Sequence, residues 1–310
     1  MFKYCSNILY NGDNMTKRIM SHMPEYVPEL KTEILKFATR FFLDKGFKWE
    51  LPIILSPHTD PLFPDPTEQE IEPLEVEIKS YGHKLKLVHS MILHKQLLVS
   101  DVYDKVFILS PNIRIERRNP DGWHAFEFTQ LDFEIRGVSY YDVMSLLSEF
   151  LVELTDYLDK LRYIDKHSYP YKYIRRGMFK YVDYVNEGEP DISLLKYPTF
   201  VVNIPREFYD YYDEEIGIWK NFDLVLPLYG EVSSGGEREY QYEKVIKKIR
   251  EGGLKPENFM YYLDVMRKGL VKKSAGAGIG IERLVTFYSG VNDIEKVQPF
   301  PRIPYREVLI

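Results

Sequence analysis

Cationic, acidic and aromatic side chains alternate with apolar ones in the stretch SPNIRIERRNPDGWHAFEFTQLDFEI, which begins at Ser110. On its first arm Arg114 and Glu116 lie to one side and isoleucines to the other, the period of two of a half-buried strand. The second arm alternates in the same way, and its polar side consists of Phe128, Gln130, Asp132 and Glu134. Because desolvated charge is costly unless it is paired, these groups predict a ligand-binding sheet face rather than an apolar core.

A turn cluster separates the two arms. Pro120, Asp121 and Gly122 predict an antiparallel hairpin with a long loop, which also holds His124. A solvated sheet face with cross-strand ion pairs is the alternative that this pattern leaves open.

Two further acidic residues could bind a metal ion. Asp223 and Glu231 stand eight residues apart at the ends of a strand and turn, and Mg²⁺ prefers hard carboxylate oxygens. Between Glu231 and Arg238 lies the run SSGG, whose glycines allow the backbone to approach a small ligand closely. By spacing alone, an ordinary strand and turn would look the same.

The hairpin sequence, RxE followed by a loop with a histidine and then EFxQxDxE, resembles motif 2 of the class II aminoacyl-tRNA synthetases, especially their aspartyl and asparaginyl branch. The resemblance implies that Arg114 binds the α-phosphate of ATP and that Glu116 reads the adenine amino group. It also implies that Phe128 stacks on adenine and that His124 reaches the γ-phosphate. The residue types suit these roles, since guanidinium groups fit phosphate oxygens and a flat ring fits a purine.

A second string, GAGIGIERL, begins at Gly276 and resembles motif 3 of the same family. It implies that Arg283 holds the γ-phosphate of a bent ATP. The family has an Asp and a Glu as metal ligands where this chain has Asp223 and Glu231, so ATP as substrate and Mg²⁺ are expected. A glycine-rich strand packed on a helix is the structural alternative.

The amino-acid site is implied by a third string, SMILHKQL, which resembles a segment of aspartyl-tRNA synthetases whose lysine binds the aspartate carboxylate. Lys95 takes that place, and Arg238 corresponds to an arginine that binds a substrate carboxylate. Gln130 and Asp132 are expected to hold the substrate ammonium group. For Lys95 the alternative is an exposed lysine on a helix, the usual fate of lysine.

The third string departs from the family pattern, because Met91 and Ile92 replace a proline and a glutamine. The family glutamine orients the amino acid, so its loss implies a different pose. Residues 56–73, rich in proline and acid, predict an ordered loop or a lid in which Glu68 or Glu72 could meet an ammonium group.

Apolar periodicity predicts the elements that position these groups: an amphipathic helix from Pro28 to Gly46 and another from Ser139 to Leu161. Ser139 followed by Asp142 resembles a capping box. GFKWELPIILSP resembles motif 1, a helix and strand that form the family's dimer interface, so a homodimer is implied. The implied fold is α+β, an antiparallel sheet of roughly six or seven strands flanked by helices.

Composition limits the remaining possibilities. The 310 residues carry a net charge of −6, so a broad basic footprint for nucleic acid is missing. The single cysteine, Cys5, excludes an internal disulfide and, with no apolar run of membrane-spanning length, favours a cytoplasmic protein. Residues 1–27 are expected to be a lead-in and 28–310 a class II synthetase-like catalytic domain, without the OB-fold domain that reads the anticodon.

Several strings, among them NIPREFYD, SAGAGIG and VQPFPRIP, resemble the freestanding asparagine synthetases of archaea. The resemblance implies an AMP-forming ligase that activates aspartate with ATP through a β-aspartyl adenylate and then amidates it with ammonia. Charging of tRNA with aspartate or asparagine is the first alternative. A catalytically silent amino-acid sensor is the second.

Overall fold

The computed structural model describes residues 22–61, 75–78, 81–115 and 119–306. Its helices, in chain order, are α1 (Val27–Asp44), α2 (Ile92–Asp101), α3 (Tyr140–Lys160), α4 (Tyr171–Arg175), α5 (Tyr184–Glu187), α6 (Tyr242–Glu251), α7 (Met260–Arg267) and α8 (Ile281–Ser289).

The strands are β1 (Lys48–Glu50), β2 (Leu55–Ser56), β3 (Glu75–Ile78), β4 (His83–Leu87), β5 (Lys105–Ile113), β6 (Glu127–Arg136), β7 (Lys180–Asp183), β8 (Thr199–Val202), β9 (Tyr212–Asp213), β10 (Ile218–Trp219), β11 (Asn221–Leu226), β12 (Gly230–Glu237) and β13 (Ser274–Gly280).

Within the described residues, eight strands form the main sheet in the order β1-β5-β6-β13-β12-β11-β8-β7. The six central strands pair antiparallel, as predicted. The two edge strands pair parallel with their neighbours, so the sheet is mixed and slightly wider than predicted. The α+β class is confirmed. The two strands that pair parallel, β1 and β7, are only three and four residues long.

One face of the sheet carries the main apolar core, against which α1, α3 and α8 pack. Alternation places Leu131 and Phe133 of β6 on this face, fully buried. Asp132 and Glu134, which alternate with them, therefore point to the opposite face. That face is only partly covered, by α2, α6 and α7 with their own smaller apolar cluster.

Local sequence signals account for the ends of several elements. The capping box is confirmed: the Ser139 side chain accepts from the backbone N–H of Asp142, and the Asp142 carboxylate accepts from the N–H of Ser139. Strand β12 ends at Glu237, and α6 begins at Tyr242 and ends before Gly252.

The motif 1 region lies at an edge of the main sheet. Among the strands of the described ranges, β1 pairs only with β5, and the apolar side chains of Trp49, Leu51 and Ile54 are exposed, Leu51 by 76%. Most of the expected lead-in falls outside the described residues. No helix in the described part of the chain is both long and apolar enough to cross a bilayer.

Candidate active site

A cavity of about 410 Å³ opens on the sheet face opposite the main core. Each predicted site residue that the structure describes lines it, namely Lys95, Arg114, His124, Phe128, Gln130, Asp132, Asp223, Glu231, Arg238 and Arg283. Glu116 lies outside the described residues, as do Glu68 and Glu72 of the expected lid. Residues separated by up to 188 positions in the chain thus meet at one cavity.

Alternate glycines of β13 make room for the acidic residues of β6. In the strand register Gly276 stands opposite Glu134 and Gly278 opposite Asp132. A Cβ atom at Gly276 would lie 2.2 Å from Glu134 Oε2, and one at Gly278 would lie 3.1 Å from Asp132 Oδ1. The GxGxG string therefore serves packing as well as chemistry, because only a bare strand leaves space for these two carboxylates.

We call the part of the cavity lined by Lys95, Asp132 and Arg238, together with Glu134, which is buried behind them, the buried end. Lys95, in the first turns of α2, is only 2% exposed. Its Nζ donates to Asp132 Oδ1 at 2.9 Å and to the carbonyl oxygen of Ala277 at 3.1 Å. The alternative of an exposed helix lysine is therefore wrong.

Arg238 completes the buried end directly after β12. Its Nε donates to Glu134 Oε1 at 3.2 Å, Nη1 to Asp210 Oδ1 at 3.2 Å, and Nη2 to the carbonyl oxygen of Gly276 at 3.0 Å. Burial lowers the pKa of Arg238, but Glu134 and Asp210 more than offset this and raise it above its usual value. The guanidinium is therefore fixed as a cation.

The two residues predicted to hold the substrate ammonium group already have partners. Asp132 Oδ2 accepts from Ser110 Oγ at 2.8 Å in addition to the bond from Lys95. Gln130 Oε1 accepts from the side chain of Asn112. Ser110 and Asn112 lie in the predicted hairpin, but the sequence pattern did not single them out.

We call the part formed by Arg114, His124, Glu231 and Arg283 the open end. Arg283 Nη1 donates to the carbonyl oxygen of Glu231 at 2.8 Å, and its Nη2 lies 2.9 Å from His124 Nε2. Arg114 Nε donates to the carbonyl oxygen of His89 at 3.1 Å, and its guanidinium lies 5.2 Å from the centre of the Phe128 ring. The two predicted phosphate-binding arginines thus line one cavity.

A β-bulge brings the predicted metal ligands to the same face. Val225 of β11 stands opposite Glu231 while Leu224 stands opposite Ser233, so Val232 is an extra residue in β12. As a result Glu231 and Ser234, three positions apart, both face the cavity with Asp223. Without the bulge, strand alternation would put Ser234 on the opposite face from Glu231.

The electrostatics of this pair suit a cation. Burial and the charge of Glu231 raise the pKa of Asp223 to about 6, although Arg206 opposes the shift. Burial raises the pKa of Glu231, but the positive charges of Arg283, Arg206 and Arg114 outweigh this effect, so the pKa lies below its usual value. Asp223 Oδ1 is buried and accepts no hydrogen bond of ordinary geometry from the residues that the structure describes, although Ser234 lies beside the carboxylate.

These two residues fit Mg²⁺, which takes one or two protein carboxylates and completes its shell with phosphate oxygens and water. In the described part of the chain no group of three or more His, Cys, Asp or Glu could hold a metal. These residues therefore do not form a metal site in which every ligand comes from the protein.

Sequence reasoning missed an arginine and three acidic groups at the cavity wall. Arg206 donates through Nη2 to Asp223 Oδ2 and through Nη1 to Ser234 Oγ. Glu207, Asp210 and Asp60 line the cavity beside it, and Asp60 Oδ2 accepts from the hydroxyl of Tyr209 at 3.0 Å. Burial and Asp60 raise the pKa of Glu207 to about 8. The signal for Arg206, Glu207 and Asp210 is the string NIPREFYD, whereas Asp60 lies in the loop that follows β2.

The fold matches the catalytic domains of a class of ligases whose structures have been solved. Asparaginyl-tRNA synthetase from Pyrococcus horikoshii complexed with asparaginyl-adenylate superposes with a TM-score of 0.77, at 22% identity over 91% of this chain and 69% of that chain. The Entamoeba histolytica enzyme in complex with asparaginyl-adenylate gives 0.74, at 19% identity over 91% and 68%. At these identities the likeness establishes the fold.

The family follows from the sequence match. The profile described as tRNA synthetases class II (D, K and N) matches residues 16–304, so the chain belongs to this family. The asparagine–tRNA ligase of Mycoplasma capricolum subsp. capricolum is 26% identical over 86% of this chain and 67% of its own length. The aspartate–tRNA(Asp/Asn) ligase of Methanospirillum hungatei is 27% identical over 88% and 68%. The chain thus spans about two thirds of these two relatives.

Proposed function

We propose that this protein is an ATP-dependent ligase that activates aspartate, or its amide, as an adenylate and transfers it to tRNA. A substrate carboxylate oxygen attacks the α-phosphorus, and pyrophosphate leaves. A hydroxyl of the tRNA then attacks the acyl carbon, and AMP leaves. The observation that carries the proposal is that two pairs of cations, Lys95 with Arg238 and Arg114 with Arg283, line one cavity.

The open end suits the nucleotide. Arg114 and Arg283 would contact phosphate oxygens, and Phe128 would offer its ring to the adenine. Mg²⁺ held by Asp223 and Glu231 would neutralise phosphate charge when bound. Side chains here need only position ATP and stabilise charge, because the substrate itself supplies the nucleophile.

The buried end suits a carboxylate or amide. Lys95 has three N–H donors, and the hydrogen bonds to Asp132 and Ala277 use two of them. Arg238 is held at three points and remains charged. These cations favour an acidic or amide side chain over an apolar one, because an apolar group would leave their donors buried and unmatched.

Ammonia-dependent synthesis of asparagine, which the sequence analysis placed first, is the second candidate. The names of the relatives support tRNA as acceptor, so tRNA charging now comes first. The carboxylates of Asp60 and Asp210 at the cavity wall favour the second candidate, because they would attract ammonium. In that reaction ammonia attacks the acyl carbon of a β-aspartyl adenylate, and AMP leaves.

Pyrophosphate exchange tests the shared first step. With aspartate or asparagine, Mg²⁺ and ATP the protein should incorporate labelled pyrophosphate into ATP, and Arg114→Ala should nearly abolish this. Exchange at the normal rate in Arg114→Ala would refute the assignment. Binding of aspartate without any exchange would favour the silent sensor.

The acceptor is tested separately. The protein is incubated with aspartate or asparagine and ATP, first with tRNA and then with ammonium salt, and products are separated by mass spectrometry. Aminoacyl-tRNA supports the first candidate and free asparagine the second. AMP release that neither acceptor accelerates would contradict both.

We also propose that the exposed edge at β1 forms a homodimer. Exposed apolar side chains of this kind mark interaction surfaces. Leu51→Lys should shift the protein from dimer to monomer in size-exclusion chromatography with light scattering, and Leu194→Lys, at another exposed leucine, should not. A wild-type protein that is monomeric at micromolar concentration would exclude the dimer.

A further inference from the structure

Arg206 is the cation closest to the metal-binding carboxylate of Asp223. It follows β8, and its side chain and that of Asp223 are 16% and 15% exposed. One guanidinium nitrogen donates to Asp223 Oδ2 and another to Ser234 Oγ on the adjacent strand β12. Two anchors on two strands hold this guanidinium against one oxygen of the carboxylate while the other, Oδ1, accepts no hydrogen bond of ordinary geometry from the described part of the chain.

The second carboxylate has a different kind of counter-ion. Arg283 Nη1 lies 3.8 Å from Glu231 Oε2, and both side chains are more exposed, at 24% and 44%. The hydrogen bonds of Arg283 go to the Glu231 carbonyl and towards His124 rather than to the carboxylate. Arg283 can therefore turn to a ligand without breaking a hydrogen-bonded ion pair, whereas Arg206 cannot.

Further charges surround Arg206. Asp223, Glu207 and Glu231 stabilise its charged form and raise its pKa despite burial, so Arg206 stays cationic. A divalent cation bound to Asp223 would therefore lie close to a fixed positive charge, because the Arg206 guanidinium is hydrogen-bonded to the same carboxylate. Repulsion at that range is strong, because partly buried charges are poorly screened.

We propose that Arg206 is a resident counter-ion that positions Asp223 and weakens its binding of free divalent cations. Arg206 neutralises the carboxylate and holds its orientation when no metal is present. A free cation must then compete with the guanidinium. A cation that arrives bound to nucleotide phosphates is favoured, because the phosphates add negative charge beside the guanidinium. Arg206 thus acts as a positioning residue that links metal binding to nucleotide binding. The inference takes only the metal site from the proposed function and holds whichever acceptor is used.

Binding of Mn²⁺, followed by the electron paramagnetic resonance signal of the free ion without nucleotide or amino acid, tests the proposal. Arg206→Gln should tighten Mn²⁺ binding about tenfold, since it removes a nearby positive charge. Adding Asp223→Asn in the same chain should abolish the gain. Arg136→Gln, which removes an exposed arginine paired with Asp104, is the matched control and should leave Mn²⁺ binding unchanged.

Unchanged or weaker Mn²⁺ binding in folded Arg206→Gln would overturn the proposal, as would a gain that survives Asp223→Asn. If Arg206→Gln does not fold by circular dichroism, Ser234→Ala removes one anchor and keeps the charge. It should then tighten Mn²⁺ binding about threefold, and no change would equally overturn the proposal. Because no catalytic step is measured, failure of pyrophosphate exchange would leave this result standing.

Discussion

The two ends of the cavity use the same kinds of charged side chain in opposite ways. At the buried end Lys95, Asp132, Glu134 and Arg238 are at most 3% exposed and bonded to one another. At the open end Arg283 and Glu231 are much more exposed, and their carboxylate and guanidinium are not hydrogen-bonded. The buried end is therefore arranged before any ligand binds. At the open end the charged side chains remain able to bind a charged ligand.

The largest effect is expected from breaking the buried end. Glu134→Ala leaves the guanidinium of Arg238 buried without its main carboxylate and should lower the free energy of unfolding by about 3–5 kcal/mol. Urea denaturation measures this. Glu127→Ala, which removes an exposed partner of Arg302, is the control and should cost at most about 1 kcal/mol. A comparably small loss for Glu134→Ala would show that the buried end is not stabilised by its ion pairs.

A substitution at the open end should lower activity much more than stability. Arg283→Ala should reduce pyrophosphate exchange by about 10²–10³-fold, because a fixed positive group near developing phosphate charge is lost. Its free energy of unfolding should change by no more than about 1 kcal/mol, since its ion pair is partly exposed. Severe destabilisation of this variant would remove the distinction between the two ends.

Two buried histidines that stay neutral predict a pH effect. Burial lowers the pKa of His89, whose carbonyl oxygen accepts from Arg114, and of His94, which precedes Lys95 in α2, to about 4. The unfolded chain takes up these protons near pH 6.5, so stability is complete above that pH and declines as the pH falls towards 4. Each histidine should cost about 2 kcal/mol between pH 7 and pH 5.

Urea unfolding at the two pH values measures this effect. His94→Gln should remove about half of the pH dependence, while the exposed-site variant Glu127→Ala should keep all of it. Equal slopes in wild type and His94→Gln would contradict the assignment.

A pH effect of the opposite sign is expected at Glu207, which lines the wall of the same cavity. Its folded pKa, about 8, is above the ordinary value, so the carboxyl stabilises the fold at low pH and that contribution is lost as the pH rises from about 4.5 to 8. Glu207→Gln should therefore gain stability relative to wild type as the pH is raised through this range. Thermal unfolding at pH 5 and pH 8 would reveal the change, and a constant difference would contradict it.

Much of this site was predictable because its signals are local in the chain. Strand alternation predicted that Asp132 and Glu134 share a face, and alternate glycines predicted the bare strand of motif 3. The capping box fixed the start of α3 within one residue. In each case the residues that make the pattern also make the contact.

Other features depend on partners that no local pattern reveals. The burial of Lys95 follows from a carboxylate 37 positions away, and Arg206 finds Asp223 across strands. The bulge at Val232 shifts the side-chain phase by one residue within an otherwise regular strand. The parallel edges β1 and β7 are too short to carry a periodic signal.

The bare glycines of β13 restrict how this enzyme's selectivity can be engineered. No side chain can be introduced at Gly276, and one at Gly278 would press on Asp132, so these two positions cannot be used to reshape the cavity. The facing helix α2 offers an alternative, because Ile92 lines the cavity ahead of Lys95. A library aimed at new substrates should therefore be built on α2 and leave these two glycines untouched.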